Sequence, residues 1–230
     1  MHLFSRLLCA VAMWATAGAF AAPVEDSMAQ RVQACTGCHG AQGQATRQGY
    51  FPRIAGKPAG YLYNQLLSFR AGTRHNEAMG YLLAQLSDDY LREIAGHFAS
   101  LDLPYPPAPP IQATAATLSR GEVLATQGDA ARGLPACAAC HGAQLAGVQP
   151  ATPGLIGLPR DYLVAQLGAW QSGQRQALAP DCMASVARKL SVDDLNAVSS
   201  WLATQSPPAH AKPAAALAAP APLRCGSGAP

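Results

Sequence analysis

The feature that most constrains this 230-residue chain is an internal repeat. Cys35-Thr-Gly-Cys38-His39 recurs as Cys137-Ala-Ala-Cys140-His141, and each copy continues Gly-Ala-Gln. Tyr61-Leu62 and Gln65-Leu66 are echoed by Tyr162-Leu163 and Gln166-Leu167, and Phe69, Gly72 and Arg74 by Trp170, Gly173 and Arg175. A methionine follows in both, Met79 and Met183, and each copy closes on a Leu-Ser step with acids behind it, at Ser87-Asp88-Asp89 and Ser191-Val-Asp193-Asp194. The offset stays between 101 and 104 residues, so a module has been duplicated with small insertions.

Between the copies lies Pro104-Tyr-Pro-Pro-Ala-Pro-Pro110, an extended linker in which proline blocks both helix and sheet. The chain therefore divides into a leader over 1–21, a first module over 22–103, the linker over 104–117, a second module over 118–205 and a tail over 206–230. The leader carries His2 and Arg6, then the apolar run Leu7 to Phe20 and an Ala-x-Ala exit at Ala19-Phe20-Ala21. That is the layout of a secretory signal cleaved near Ala21 or Ala22, and the run is too short for a spanning helix of about 20 residues. Export to a bacterial periplasm follows, with no transmembrane segment in the mature chain, although peripheral membrane association stays open. The tail is Pro/Ala-rich without apolar periodicity and reads as disordered.

Inside each module the apolar spacing is helical. Tyr61, Leu62, Leu66 and Phe69 share a face, as do Tyr162, Leu163, Leu167 and Trp170, and Leu91, Ile94, Phe98 and Leu195, Val198, Leu202 repeat the spacing later on. Ser87 and Ser191 are suited to N-cap the last helices, with acids complementing the helix dipole. No run alternates with period two, so the expected fold is all-α: two tandem domains. Modules of this size bury a marginal core and usually need a metal, disulfide or cofactor.

In an exported chain free thiols default to disulfides, but the spacing of Cys35/Cys38 and Cys137/Cys140 points elsewhere. Cys-x-x-Cys-His is the attachment signature of haem c: thiols at i and i+3 reach two vinyl groups of one porphyrin, and the adjacent imidazole lies under the iron. A zinc site would set its two Cys-x-x-Cys knuckles much closer together, and a thioredoxin-like pair needs a strand–helix context that is missing. The cofactors expected are two covalent haems c, with His39 and His141 as one axial ligand of each iron. Met79 and Met183, at matched positions after a Gly-x-Arg turn, are the candidates for the other, since thioether ligation raises the reduction potential. His75 is the rival ligand in the first module and Cys182 in the second. Met28 reads as packing, His97 as a surface or half-buried helix residue, and His210 belongs to the tail. Irons with two protein ligands have no open position for substrate, so the chain is expected to carry electrons and not to be an enzyme; a dihaem peroxidase would need one site to open.

These residues resemble class I cytochromes c, and specifically the dihaem, two-domain cytochrome c4 family. The resemblance rests on both Cys-x-x-Cys-His motifs with Tyr50-Phe-Pro52-Arg53-Ile-Ala-Gly56 and Pro153-Gly-Leu-Ile-Gly157, the Tyr-Leu, Gln-Leu, Gly and Arg positions above, Met79 and Met183, and it spans roughly residues 30 to 204. It implies two cytochrome c folds with haems facing across the domain interface, and a periplasmic electron carrier. It also implies that the Pro52 carbonyl holds His39 and that of Pro153 holds His141, fixing each ring. Arg53 has no basic counterpart at Gly154, and a contact from Arg53 to a haem propionate would separate the two potentials. Cys182 and Cys225 depart from the family pattern; pairing with each other is one reading.

A formal charge of +3 supplies no basic stripe and excludes nucleic acid as a partner. Losing Arg6 removes one positive charge, and two haems add about four propionates, leaving a near-neutral or slightly anionic holoprotein. The partners expected are redox proteins: a quinol-oxidising complex and a terminal oxidase for a diffusible carrier, or the flavin, quinone or molybdenum centre of a partner for the cytochrome subunit of a dehydrogenase.

Overall fold

The computed structural model describes residues 25–46, 50–105, 107, 110–208 and 211–228; the leader and His210 lie outside them. Polar side chains start most of the helices. In the first half, α1 (Met28–Arg31) begins at Ser27 and runs almost directly into α2 (Gln33–His39). Next come α3 (Ala59–Arg70), α4 (Glu77–Leu83), capped by Asn76, and α5 (Asp88–Ser100), where the Ser87 hydroxyl accepts from the Tyr90 N–H at 3.2 Å. The second half repeats the order with α6 (Ala115–Thr126), α7 (Ala138–His141), α8 (Arg160–Ser172), α9 (Cys182–Ala187) and α10 (Val192–Thr204). At α10 the capping is reciprocal: Ser191 Oγ accepts from the Asp194 N–H, and Asp194 accepts from the Ser191 N–H, which satisfies two donors the helix cannot. Two short strands, β1 (Gly147–Val148) and β2 (Thr152–Pro153), pair antiparallel.

The apolar faces close on two separate clusters. Val32, Leu62, Leu83, Leu91, Ile94, Ala95 and Phe98 form one, with Met28 packed against it; Leu124, Ala125, Leu134, Leu145, Ile156, Leu158, Leu163, Val198 and Leu202 form the other. His97 is half-buried on α5. In the second half α6 crosses α10 at Gly121, where a Cβ would collide with the Ala197 carbonyl and Trp201; only glycine lets these backbones approach so closely. The corresponding N-terminal helix of the first half is interrupted at Val32, which is itself buried in the first cluster.

One expectation needs correction. The tail was expected to be disordered, but its described residues 211–228 run back along the second half. The Ala214 N–H donates to the Gly147 carbonyl at 2.9 Å, the Gln149 N–H donates to the Ala214 carbonyl at 2.8 Å, and Cys225 is disulfide-bonded to Cys182. Composition misled because the segment gains order from a cross-link and from strand-edge bonds, neither of which shows as periodicity. Arg53 is turned to the linker: its guanidinium donates to the carbonyls of Ala55, Leu103 and Pro104 and lies 4.0 Å over the Tyr105 ring. It clamps the start of the linker. Among the described residues no helix is long and apolar enough to cross a membrane.

Candidate haem sites

Each Cys-x-x-Cys-His motif sits on a short helix whose last residue is the histidine. Cys35, Cys38 and His39 lie on α2; Cys137 caps α7, which carries Cys140 and His141. Both imidazoles are buried, and both have one ring nitrogen engaged: His39 Nδ1 lies 2.8 Å from the Pro52 carbonyl oxygen and His141 Nδ1 2.7 Å from that of Pro153. A carbonyl only accepts, so Nδ1 carries the proton and Nε2 keeps its lone pair for a metal. Burial pushes both histidines below their ordinary value, against the opposing effect of the proline carbonyls, which keeps the rings neutral.

Burial also raises the thiols of Cys35 and Cys140, and that of Cys137 to about 11. A redox-active Cys-x-x-Cys pair needs a lowered thiol, and burial acts the other way on Cys35, Cys137 and Cys140. Neither do they assemble with other side chains: among the described residues no group of three or more His, Cys, Asp or Glu could hold a metal ion. Cys35, Cys38, Cys137 and Cys140 are all free of disulfides.

The two methionines line the same cavity as the histidines. Met79 lies in the first turn of α4, its N–H bonded to Asn76 Oδ1 at 3.0 Å, and Met183 in the first turn of α9, which Asp181 caps at 2.9 Å through the Ala184 N–H. His75 is exposed and its N–H donates to the Gln174 carbonyl at 3.2 Å. The Cys182 sulfur is committed to the disulfide and is no longer available as a thiolate.

The cysteines, histidines and methionines of both halves border one continuous, mostly apolar cavity of about 1840 Å³. Single-ligand pockets span about 300–1,000 Å³, so the space suits two large planar groups. At its centre the Gly-x-Arg turns of the two halves meet, Arg74 pairing antiparallel with Arg175. The Arg74 guanidinium donates to Gln65 of its own half and, across the interface, to Tyr162 Oη at 2.9 Å and Gln166 Oε1 at 2.7 Å. Arg175 mirrors it, donating to Gln166, Gln65 and Tyr61. Each also stacks on an aromatic of its own half, Phe69 or Trp170.

Among the described residues neither buried arginine is bonded to a carboxylate, and buried Lys57 donates only to the Gly154 carbonyl at 3.0 Å. Burial drives Lys57 down to about 8. The Trp170 indole N–H is buried without a partner. Buried cations without anions and an orphaned donor are costly, and porphyrin propionates in this cavity would supply the missing acceptors. The residues present fit haem. The sequence signalled Arg74, Arg175, Gln65, Gln166, Tyr61 and Tyr162 only as polar repeats on apolar helix faces; nothing in it marked Lys57 or the Trp170 N–H.

No protein-family model matches the chain. It is 37% identical over 84% of its length to a thiosulfate dehydrogenase electron acceptor of Thiomonas intermedia, covering 85% of that protein. A protein of the same description from Stutzerimonas stutzeri is 38% identical over 74% of this chain and 78% of its own. Cytochrome c4 of Pseudomonas aeruginosa is 35% identical over 73% of this chain and 82% of its own. Among solved structures, reduced cytochrome c4 from Pseudomonas stutzeri superposes with a TM-score of 0.63 at 32% identity, over 76% of this chain and 95% of that one. A thiosulfate dehydrogenase of Marichromatium purpuratum superposes with a TM-score of 0.64 at 34% identity over 74% of this chain, which spans only 36% of the longer one. The chain belongs to the cytochrome c4 family: it is a dihaem cytochrome c that carries two covalent haems c and transfers electrons, and it is not an enzyme.

Proposed function

We propose that this protein is the periplasmic electron acceptor of a thiosulfate dehydrogenase, a role that corresponds to a dehydrogenase's cytochrome partner and not to a quinol-to-oxidase shuttle. The observation that carries this reading is its similarity, over most of both chains, to two proteins described as thiosulfate dehydrogenase electron acceptors. The superposition on part of a thiosulfate dehydrogenase supports it. The diffusible carrier between a quinol-oxidising complex and a terminal oxidase is the second reading, favoured by the likeness to cytochromes c4.

When bound, each haem supplies an iron that cycles between ferric and ferrous. The chain's own residues prepare it, in two units over 22–103 and 118–205 that follow a leader cleaved near Ala21 or Ala22. Cys35, Cys38, Cys137 and Cys140 tether the porphyrins by thioethers. His39 and His141, their rings oriented by the Pro52 and Pro153 carbonyls, would hold the irons through Nε2, with Met79 and Met183 as the second protein ligands. Arg74, Arg175, Lys57 and the Trp170 N–H hold the propionates, and the apolar helices exclude water, which favours the less charged reduced state.

The test mixes ferric holoprotein with a purified thiosulfate dehydrogenase and thiosulfate, and follows haem reduction by visible absorption. Rapid reduction that requires both enzyme and thiosulfate is expected. If the enzyme turns over with an artificial acceptor while this cytochrome stays ferric, and a quinol-oxidising complex reduces it instead, the second reading replaces the first.

A further inference from the structure

The C-terminal segment is anchored mainly on the second half, through Gly147, Gln149, Pro180 and Cys182, and touches the first half at Asn64. We propose that residues 214–228 form a disulfide-locked cover over the second half's share of the common cavity, so that the first haem is the port for exchange with outside molecules and the second is reached from within. This rests on the haem reading of the sites but not on the identity of the partner.

The segment has an anchor at each end. At one end Ala214 bonds to Gly147 and Gln149 of the β1 rim, beside the strand pair whose Pro153 carbonyl meets His141. At the other end Cys225 is joined to Cys182, the residue before Met183, with the two Cα atoms 5.4 Å apart. Beyond it the Gly226 N–H donates to the Pro180 carbonyl at 3.0 Å, Ser227 Oγ accepts from the Leu178 N–H, and its carbonyl accepts from Asn64 Nδ2. A Cβ at Gly226 would collide with the Ala179 carbonyl, so this end is seated closely. Between the anchors Leu217, Pro220 and Leu223 border the cavity. The segment thus spans from the histidine side to the methionine side.

A tether alone would need the disulfide and little else. The strand-edge bonds, the glycine seat and the apolar residues turned to the cavity describe a lid. The first half lacks one: Ala78 stands before Met79, and no disulfide anchors a segment there among the described residues. Around its site Tyr50, Tyr81 and Leu82 are exposed, Tyr81 by 85%. Electron exchange and ligand entry both require close approach, so the uncovered site is the accessible one.

Imidazole entry into the ferric holoprotein tests this, followed by the Soret shift whatever the native sixth ligand is. The wild type should bind in two phases of equal amplitude, the slow one at least about ten-fold slower, as an added barrier of about 1.4 kcal/mol requires. The Cys182→Ser/Cys225→Ser variant should bring the slow phase towards the fast one and leave the fast phase unchanged, which also reports that the first half is intact. Leu217→Gly/Leu223→Gly keeps the disulfide and thins the cover, and should give an intermediate rate. One common rate in the wild type, or a slow phase indifferent to both variants, overturns the proposal. Neither result bears on thiosulfate dehydrogenase, whose test is reduction by that enzyme.

Discussion

The two halves began as one module, yet they are held together differently. The first relies on Phe98, Leu91 and Val32 packed behind a broken N-terminal helix, with surface ion pairs such as Arg31–Asp26 and Arg92–Asp89 that contribute little. The second has an unbroken α6 crossing α10 at Gly121, a buried carboxylate, Asp194, shared by Arg120 and Arg132, and a disulfide. Duplication preserves what the cofactor demands and lets the rest drift. What has drifted gives the second half a disulfide and a buried ion-pair cluster that the first half lacks among the described residues.

The sharpest break in the comparison should come from the ligands. Met79→Ala or Met183→Ala is expected to abolish the near-infrared methionine–iron band of one haem and lower its potential by on the order of 0.1 V or more, read by spectroscopic redox titration. Two unchanged bands would remove that methionine from the ligand set. Next in size, Phe98→Ala in the first core should cost about 3–5 kcal/mol in denaturant unfolding and release the first half before the second. Simultaneous loss of both halves would mean that they unfold as one body.

Removing the cross-link with Cys182→Ser/Cys225→Ser should destabilise the second half by up to about 4 kcal/mol, the chain-entropy value for a loop of 43 residues. Asp194 is a smaller lever. Its carboxyl is held well below the usual carboxylate range, because hydrogen bonds from Arg132, Arg120 and Ser191 outweigh its burial. A lowered folded value means stability present above the unfolded value near 3.8 and lost as pH falls below it. Asp194→Asn should cost about 1–3 kcal/mol at neutral pH and flatten the acid limb of the second half's unfolding, while the first half keeps its own.

Much of this was legible in the sequence. The attachment motifs fix their own local geometry, because residues at i, i+3 and i+4 share one helix face. The caps at Ser87 and Ser191 were readable because capping is local chemistry. The tail was not, since its order comes from Cys182, 43 residues away, and composition says nothing about a partner so distant. The contacts of Arg53 were not legible for a related reason: two of its acceptors, the carbonyls of Leu103 and Pro104, are 50 and 51 residues downstream. Lys57 bonds across 97 residues and left no periodic trace.

The exchange of bonds between Arg74 and Arg175 has an evolutionary implication. Each guanidinium is satisfied in part by the glutamine and tyrosine of the opposite copy. Deleting either copy would strand the survivor's arginine in an apolar wall, so the doubling works as a ratchet: once the copies had traded hydrogen bonds, a return to a single-haem ancestor would need a compensating change at that arginine first.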